Sequence, residues 1–149
     1  MVATVSLMVA YLIEAPLAKG MERQTLLTYV QQEKAAELNE YVGRFEYQDL
    51  IEAYNKNPQN ITSAILSGYH VKFVTLGGVK NLLGMKFALE EEKDFEVVDD
   101  KVLNIPLTKA QFAVVEEMLS SNWELESTAD SNGGFSVNIL PKSYEEKRG

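Results

Sequence analysis

The sequence contains no cysteine. That excludes a disulfide framework, a thiolate nucleophile and every cysteine-based zinc site, and it leaves a reducing compartment permitted. Histidine is nearly absent as well. His70 is the only one, so no two-histidine metal motif can form within one chain, and hard cations on oxygen ligands are the one reasonable metal alternative. Carboxylates are missing from a long interval: between Glu52 and Glu90 the only charged residues are Lys56, Lys72, Lys80 and Lys86. Compensation follows at once, because the eleven residues from Glu90 to Asp100 hold seven acids against one lysine, a local −6 out of a net −8. A surface of mixed sign only keeps a chain soluble, whereas blocks of one sign can select a partner. The acidic balance argues against a chain that coats nucleic acid over its whole surface.

No apolar run reaches the about 20 residues that a bilayer span needs. The most apolar stretch, 1–18, is interrupted by Glu14, lacks a basic region before it, and carries Pro16 where a signal cleavage site would fall. Alternation of Val5, Leu7, Val9, Tyr11 and Ile13 against Thr4, Ser6 and Ala10 predicts a buried strand. A helix and a secretory leader are the alternatives for residues 1–20, and Met21 is an alternative start.

Beyond this opening, Leu27, Val30, Leu38 and Tyr41 fall on one face of a helix running from Glu22 to Val42, with Gly43 as its stop. A second helix is predicted from Tyr47 to Lys56, ended by Asn57 and Pro58. A third runs through Leu66, capped by Asn60 and terminated by a left-handed Gly68. The period then becomes two from Tyr69 to Leu76, which predicts a strand. Gly77 and Gly78 turn it into one helical turn, Val79 to Leu83, before Gly84 and a strand that begins at Met85 and continues through the acidic run to Val98. Asp99 to Lys101 form a turn into a strand, Val102 to Leu107. Thr108 and Gln111 match a capping box, and the helix after them turns Phe112, Val115, Met118 and Leu119 inward. Two strands, Trp123 to Ser127 and Phe135 to Leu140, flank a loop that reads as a hairpin with a mobile tip, Trp123 being a core residue.

These elements predict an α+β fold: one two-layer domain over 1–149, a mostly antiparallel sheet with helices packed on one face, and a frayed tail at 144–149. The length fits a single hydrophobic core.

Three features carry functional weight. In an extended chain Glu90, Glu92, Asp94 and Glu96 project from one side at about 6.7 Å intervals. Such a stripe suits a basic partner, including a protein that handles nucleic acid and would read the stripe as mimicry of phosphates. It serves equally as a solvated face or as an edge that blocks aggregation. The same acids lack the spacing of a calcium-binding loop, so no metal is expected. Second, Gly77 and Gly78 before a helix, with Lys72, Lys80 and Lys86, have the outline of an anion cradle, although neither phosphate-binding fingerprint is present. A tight turn also explains the two glycines. Third, three helices followed by two strands outline a winged helix. Its recognition helix, Ile61 to Ser67, would offer Thr62, Ser63 and Ser67 but no arginine or lysine.

Any general-base chemistry would start at His70, whose strand neighbours supply no acid or nucleophile. The sequence therefore favours a small cytoplasmic interaction protein without catalysis or cofactor, an inhibitor or regulatory adaptor whose acidic stripe meets a basic protein surface. The alternatives are a nucleic-acid- or phosphate-binding domain that uses the basic segment 68–86, and a small hydrolase or transferase centred on His70. No membrane contact is expected, and the oligomeric state is left open.

Overall fold

The computed structural model describes residues 2–130 and 133–142. The expected frayed tail at 144–149 and part of the hairpin tip lie outside them. Among the described residues are seven helices, a four-stranded antiparallel sheet and a two-stranded parallel one, so the fold is α+β. The chain forms two compact units, Met1–Lys72 and Phe73–Gly149.

The first unit is helical and closed by its own ends. Strand β1 (Ala3–Val5) pairs in parallel with β2 (Tyr69–Val71), Thr4 lying opposite His70. Between them run α1 (Leu7–Ala18), α2 (Arg23–Gln31), α3 (Ala35–Val42), α4 (Gln48–Lys56) and α5 (Pro58–Ser67). Helix α5 packs on α2, α4 and β1, and Leu12, Ile13, Leu26, Leu38, Leu50, Ile51 and Ile65 are fully buried.

The predicted opening strand is corrected to a helix for most of its length. The hydroxyl of Ser6 accepts the Val9 N–H at 3.1 Å and starts α1, and from Leu12 to Pro16 every side chain is buried. A helix buried on so many sides has no 3.6-residue contrast to display, so the accidental alternation of its first residues dominated the pattern. The single helix from Glu22 to Val42 is corrected to two. Glu33 takes a left-handed φ of +56°, and Lys34 N–H reaches back to the Tyr29 carbonyl at 2.9 Å, a Schellman-type stop made without glycine. Gly43 does stop α3, at φ +86°.

Helix α4 lies where it was predicted. The cap of α5 is Asn57, whose side chain accepts the Asn60 N–H at 3.2 Å, with Pro58 in the first turn. Asn60 instead ties α5 to β1, its side-chain amide donating to the Thr4 carbonyl at 2.9 Å.

In the second unit, α6 (Leu76–Phe87) precedes β3 (Glu96–Val98) and β4 (Lys101–Leu107), then α7 (Lys109–Met118), β5 (Trp123–Ala129) and β6 (Phe135–Pro141). The strand order is β3-β4-β6-β5, antiparallel throughout. Both bonds of the Thr108–Gln111 capping box form, and the hairpin is present with Trp123 buried. Two expectations before β3 are corrected. The strand from Tyr69 ends at Val71, because the Thr75 hydroxyl accepts the Gly78 N–H at 3.0 Å and opens a helix that takes in Gly77, Gly78 and Gly84. Burial of Val79, Leu82 and Leu83 offsets the weak helix propensity of those glycines. The strand from Met85 to Val98 is cut to its last three residues, β3, since α6 continues to Phe87 and residues 92–94 form a turn.

Candidate functional site: an acidic row across the sheet

The two faces of the sheet follow from its register, because residues directly opposite in an antiparallel pair share a face. Val97, Val102, Ile139 and Leu125 lie in one transverse row, and Ile105 with Val137 in the next; Val102, Ile139, Ile105 and Val137 are completely buried. The opposite face carries Glu96, Asn138, Glu124 and Glu126, with Lys101 as a cation and Val98, Leu103 and Leu140 as apolar neighbours.

Between Val102 and Ile105 the register of β4 slips, and Asn104 takes a left-handed φ of +63°. Such a bulge re-aims a side chain. The Asn104 side-chain amide donates to Glu96 Oε2 at 2.9 Å, while its backbone N–H donates to Asn138 Oδ1 at 3.0 Å. Asn138 in turn donates to Glu126 Oε1 at 3.3 Å. The result is one hydrogen-bonded row, Glu96–Asn104–Asn138–Glu126, that crosses all four strands with a carboxylate at each end. Three strand spacings separate those ends by about 14 Å. Glu96, Asn104, Glu124 and Glu126 are exposed.

The extended stripe Glu90, Glu92, Asp94 and Glu96 is corrected. Residues 92–94 are a turn, with Glu92 at φ +71°, and only Glu96 belongs to a strand. The Asp94 carboxylate accepts the Glu90 N–H at 2.8 Å, so it fastens the turn instead of projecting from it. Lys93 lies 3.9 Å from Glu90, and Lys80 pairs with Glu91 at 2.9 Å. The structure thus keeps Glu90, Glu92 and Asp94 in one turn and sends Glu96 to the sheet face. Glu124, Glu126, Asn104 and Asn138 escaped the sequence reading. The alternation of Trp123 and Leu125 with Glu124 and Glu126 was a readable signal; the bulge at Asn104 was not.

The basic candidates are divided between the units. Lys72 belongs to the first and Gly77, Gly78, Lys80 and Lys86 to the second. The two glycines lie inside the first turn of α6 rather than in a loop before it, and Thr75 already occupies the Gly78 N–H. Lys80 is held by Glu91, and Lys86 stands in the last turn.

The winged-helix outline is corrected too. The strand after α5 pairs in parallel with β1 and makes no hairpin, while α5 buries Ile61, Ala64 and Ile65. His70 is half-buried on β2. It lines neither the depression of about 260 Å³ bordered by Ala3, Asn57, Asn60 and Ser63 nor the one of about 200 Å³ bordered by Leu107, Thr108, Gln111 and Asp130. Among the described residues no group of three or more His, Asp or Glu side chains is arranged to hold a metal ion, and no helix is long and apolar enough to cross a membrane.

The first unit buries a carboxylate, Glu14, and two phenols, Tyr47 and Tyr69. The Tyr69 hydroxyl donates to Glu14 Oε2 at 2.5 Å, and the Tyr47 hydroxyl donates to the Leu12 carbonyl at 2.8 Å. Burial pushes both phenols well above their ordinary range; at Tyr69 the negative charge and hydrogen bond of Glu14 add to the effect. Arg23 donates to the Ile65 carbonyl at 2.9 Å. These contacts hold a core together, and none of these four side chains borders either depression.

The chain matches no protein-family model, and neither a curated protein nor a solved structure is significantly similar to it.

Proposed function

We propose that this protein is a small acidic interaction protein, an inhibitor or regulatory adaptor, that binds a basic surface of a protein partner through the outer face of its four-stranded sheet. The observation that carries the reading is the row Glu96–Asn104–Asn138–Glu126. Amide donors hold both terminal carboxylates in place before any partner arrives, which lowers the side-chain ordering cost of association. Glu124 shares the face, and the acidic turn at 90–94 leads directly into β3. Negative charge arranged this way accelerates encounter with a basic surface and rejects acidic ones, and both effects weaken with salt. A cytoplasmic setting belongs to the same proposal.

The test is a triple variant, Glu96→Gln, Glu124→Gln and Glu126→Gln, which keeps side-chain size and hydrogen-bonding capacity. Partners captured at low salt should be lost from the variant, with affinity falling at least about tenfold, equivalent to about 1.4 kcal/mol. Raising the ionic strength should weaken the wild type and leave the variant little changed. Capture that is identical for the two proteins and indifferent to salt would sink the reading.

A further inference from the structure

The acidic face continues to the border of the sheet, and that border is an open strand. We propose that the outer edge of β5 is a strand-addition site for an extended segment of the partner with basic residues at alternate positions. The inference rests on the reading of the acidic face and names the element of the partner that would engage it.

Strand β5 ends the sheet order, and among the described residues no strand pairs with its outer side. It is long and regular. Its register with β6 runs unbroken from Trp123↔Pro141 to Ala129↔Phe135, whereas the opposite border, β3, has only three residues. Edge strands are normally protected by shortness, a bulge, proline or charged side chains. The segment Trp123–Ala129 is long, unbulged and free of proline, and its only charges, Glu124 and Glu126, are of one sign, so they repel a like-charged strand and leave the edge open to a basic one. Glu124, Glu126, Ser127, Thr128 and Ala129 are all exposed. In an antiparallel ladder every second residue turns its N–H and C=O away from the existing partner, so this edge presents a row of backbone donors and acceptors ready for another strand.

Charge decides which strand can use it. Charge disfavours a second copy of this chain: in antiparallel registers centred on Glu124, Leu125 or Glu126, a carboxylate falls directly opposite a carboxylate. The same two acids, two residues apart on one face, favour a partner strand with lysine or arginine opposite each. On the other face Leu125 is half-buried at the end of the core row that holds Ile139 and Val102. An apolar residue between the two basic ones would extend that row. The recognised pattern is therefore basic, apolar, basic in an extended chain, with backbone hydrogen bonds supplying affinity and alternate side chains supplying selectivity.

The probe is an acetylated, amidated heptapeptide alternating valine and lysine, added to the full-length protein at low salt and followed by backbone amide shifts and hydrogen exchange. The expected result is binding with shifts centred on 123–129 and slowed exchange of the outward amides of β5. N-methylation of one alternate set of peptide nitrogens should weaken binding at least about tenfold, while methylation of the other set has little effect. Exchanging Glu124→Lys and Glu126→Lys should abolish binding of the lysine peptide. If both methylated peptides bind as well as the parent and the shifts follow charge alone, strand addition is overturned while the acidic-face reading stands. If no form of the peptide binds and the Gln triple variant still captures partners normally, both fail together.

Discussion

The polar contacts that distinguish the two units lie at opposite depths. In Met1–Lys72, the carboxylate of Glu14 and the phenols of Tyr47 and Tyr69 face inward, Tyr69 donating to Glu14 and Tyr47 to a helix carbonyl. In Phe73–Gly149, Glu96, Asn104, Asn138 and Glu126 form their chain on the side of the sheet away from its buried rows. A buried hydrogen bond to a charged group is strong because the alternative, an unsatisfied group in an apolar core, is so costly. An exposed one contributes little to folding, since water competes for both partners. The first arrangement therefore specifies a core, and the second leaves its charges available to another molecule. Stability in the helical unit should accordingly respond to proton activity, and recognition by the sheet unit to salt.

The largest expected effect is alkaline unfolding of the helical unit. Tyr47 and Tyr69 have their phenol pKa values raised by burial, so the folded chain keeps protons that the unfolded chain releases near pH 10. The sign follows: their contribution is fully present below about pH 10 and is lost as the pH rises above it. Two such groups would remove about 5 kcal/mol by pH 12, a large share of the 5–15 kcal/mol of a typical domain. Phenolate absorbance and helical circular dichroism should change together. Ionisation of every tyrosine near pH 10 with the helices intact would break the contrast between the units.

A smaller effect sharpens it. The sheet unit has a buried polar cluster of its own: Val74 N–H donates to Ser120 Oγ at 3.0 Å, and the Val74 carbonyl accepts from Trp123 Nε1 at 2.7 Å. Asn122 also reaches that carbonyl, at 3.4 Å. Trp123→Phe keeps an aromatic ring but removes the better donor, so denaturant unfolding should show a loss of about 1–2 kcal/mol. A neutral result would mean that Asn122 alone satisfies Val74.

How far the sequence revealed this contrast depends on what each signal measures. The capping box at Thr108, the span of α4 and the hairpin from Trp123 were legible because local chemistry and packing agree there. Helix α1 was obscured because it is buried on most sides, and the break at Glu33 because nothing in the composition marks a left-handed glutamate. The site was half legible. The abundance of acid near Glu96 is a property of sequence, but the row joining it to Glu126 depends on a bulge that brings residues 96, 104, 126 and 138 together. No periodicity in a single segment encodes that meeting.

The smallest effects concern backbone conformation at one position in each unit. The first breaks a helix at Glu33 without the glycine that such a φ favours; the second keeps Gly77 within a helix whose geometry any residue adopts. Left-handed backbone costs a side-chain-bearing residue about 1–2 kcal/mol, and glycine gives back about 0.5–1 through its greater freedom when unfolded. Glu33→Gly should therefore stabilise by about 0.5 kcal/mol. At Gly77 the reasoning reverses. A Cβ placed there would meet nothing nearer than Thr75 Oγ1 at 4.0 Å, so Gly77→Ala meets no clash and limits only the unfolded chain. Its expected gain is also about 0.5 kcal/mol, at the modest end for such exchanges because the position lies in the first turn of α6. Thermal melts of the two variants, alone and combined, check both. Destabilisation by Gly77→Ala would show that the glycine's freedom is used by the folded protein, and would return weight to the anion-cradle alternative at the start of α6.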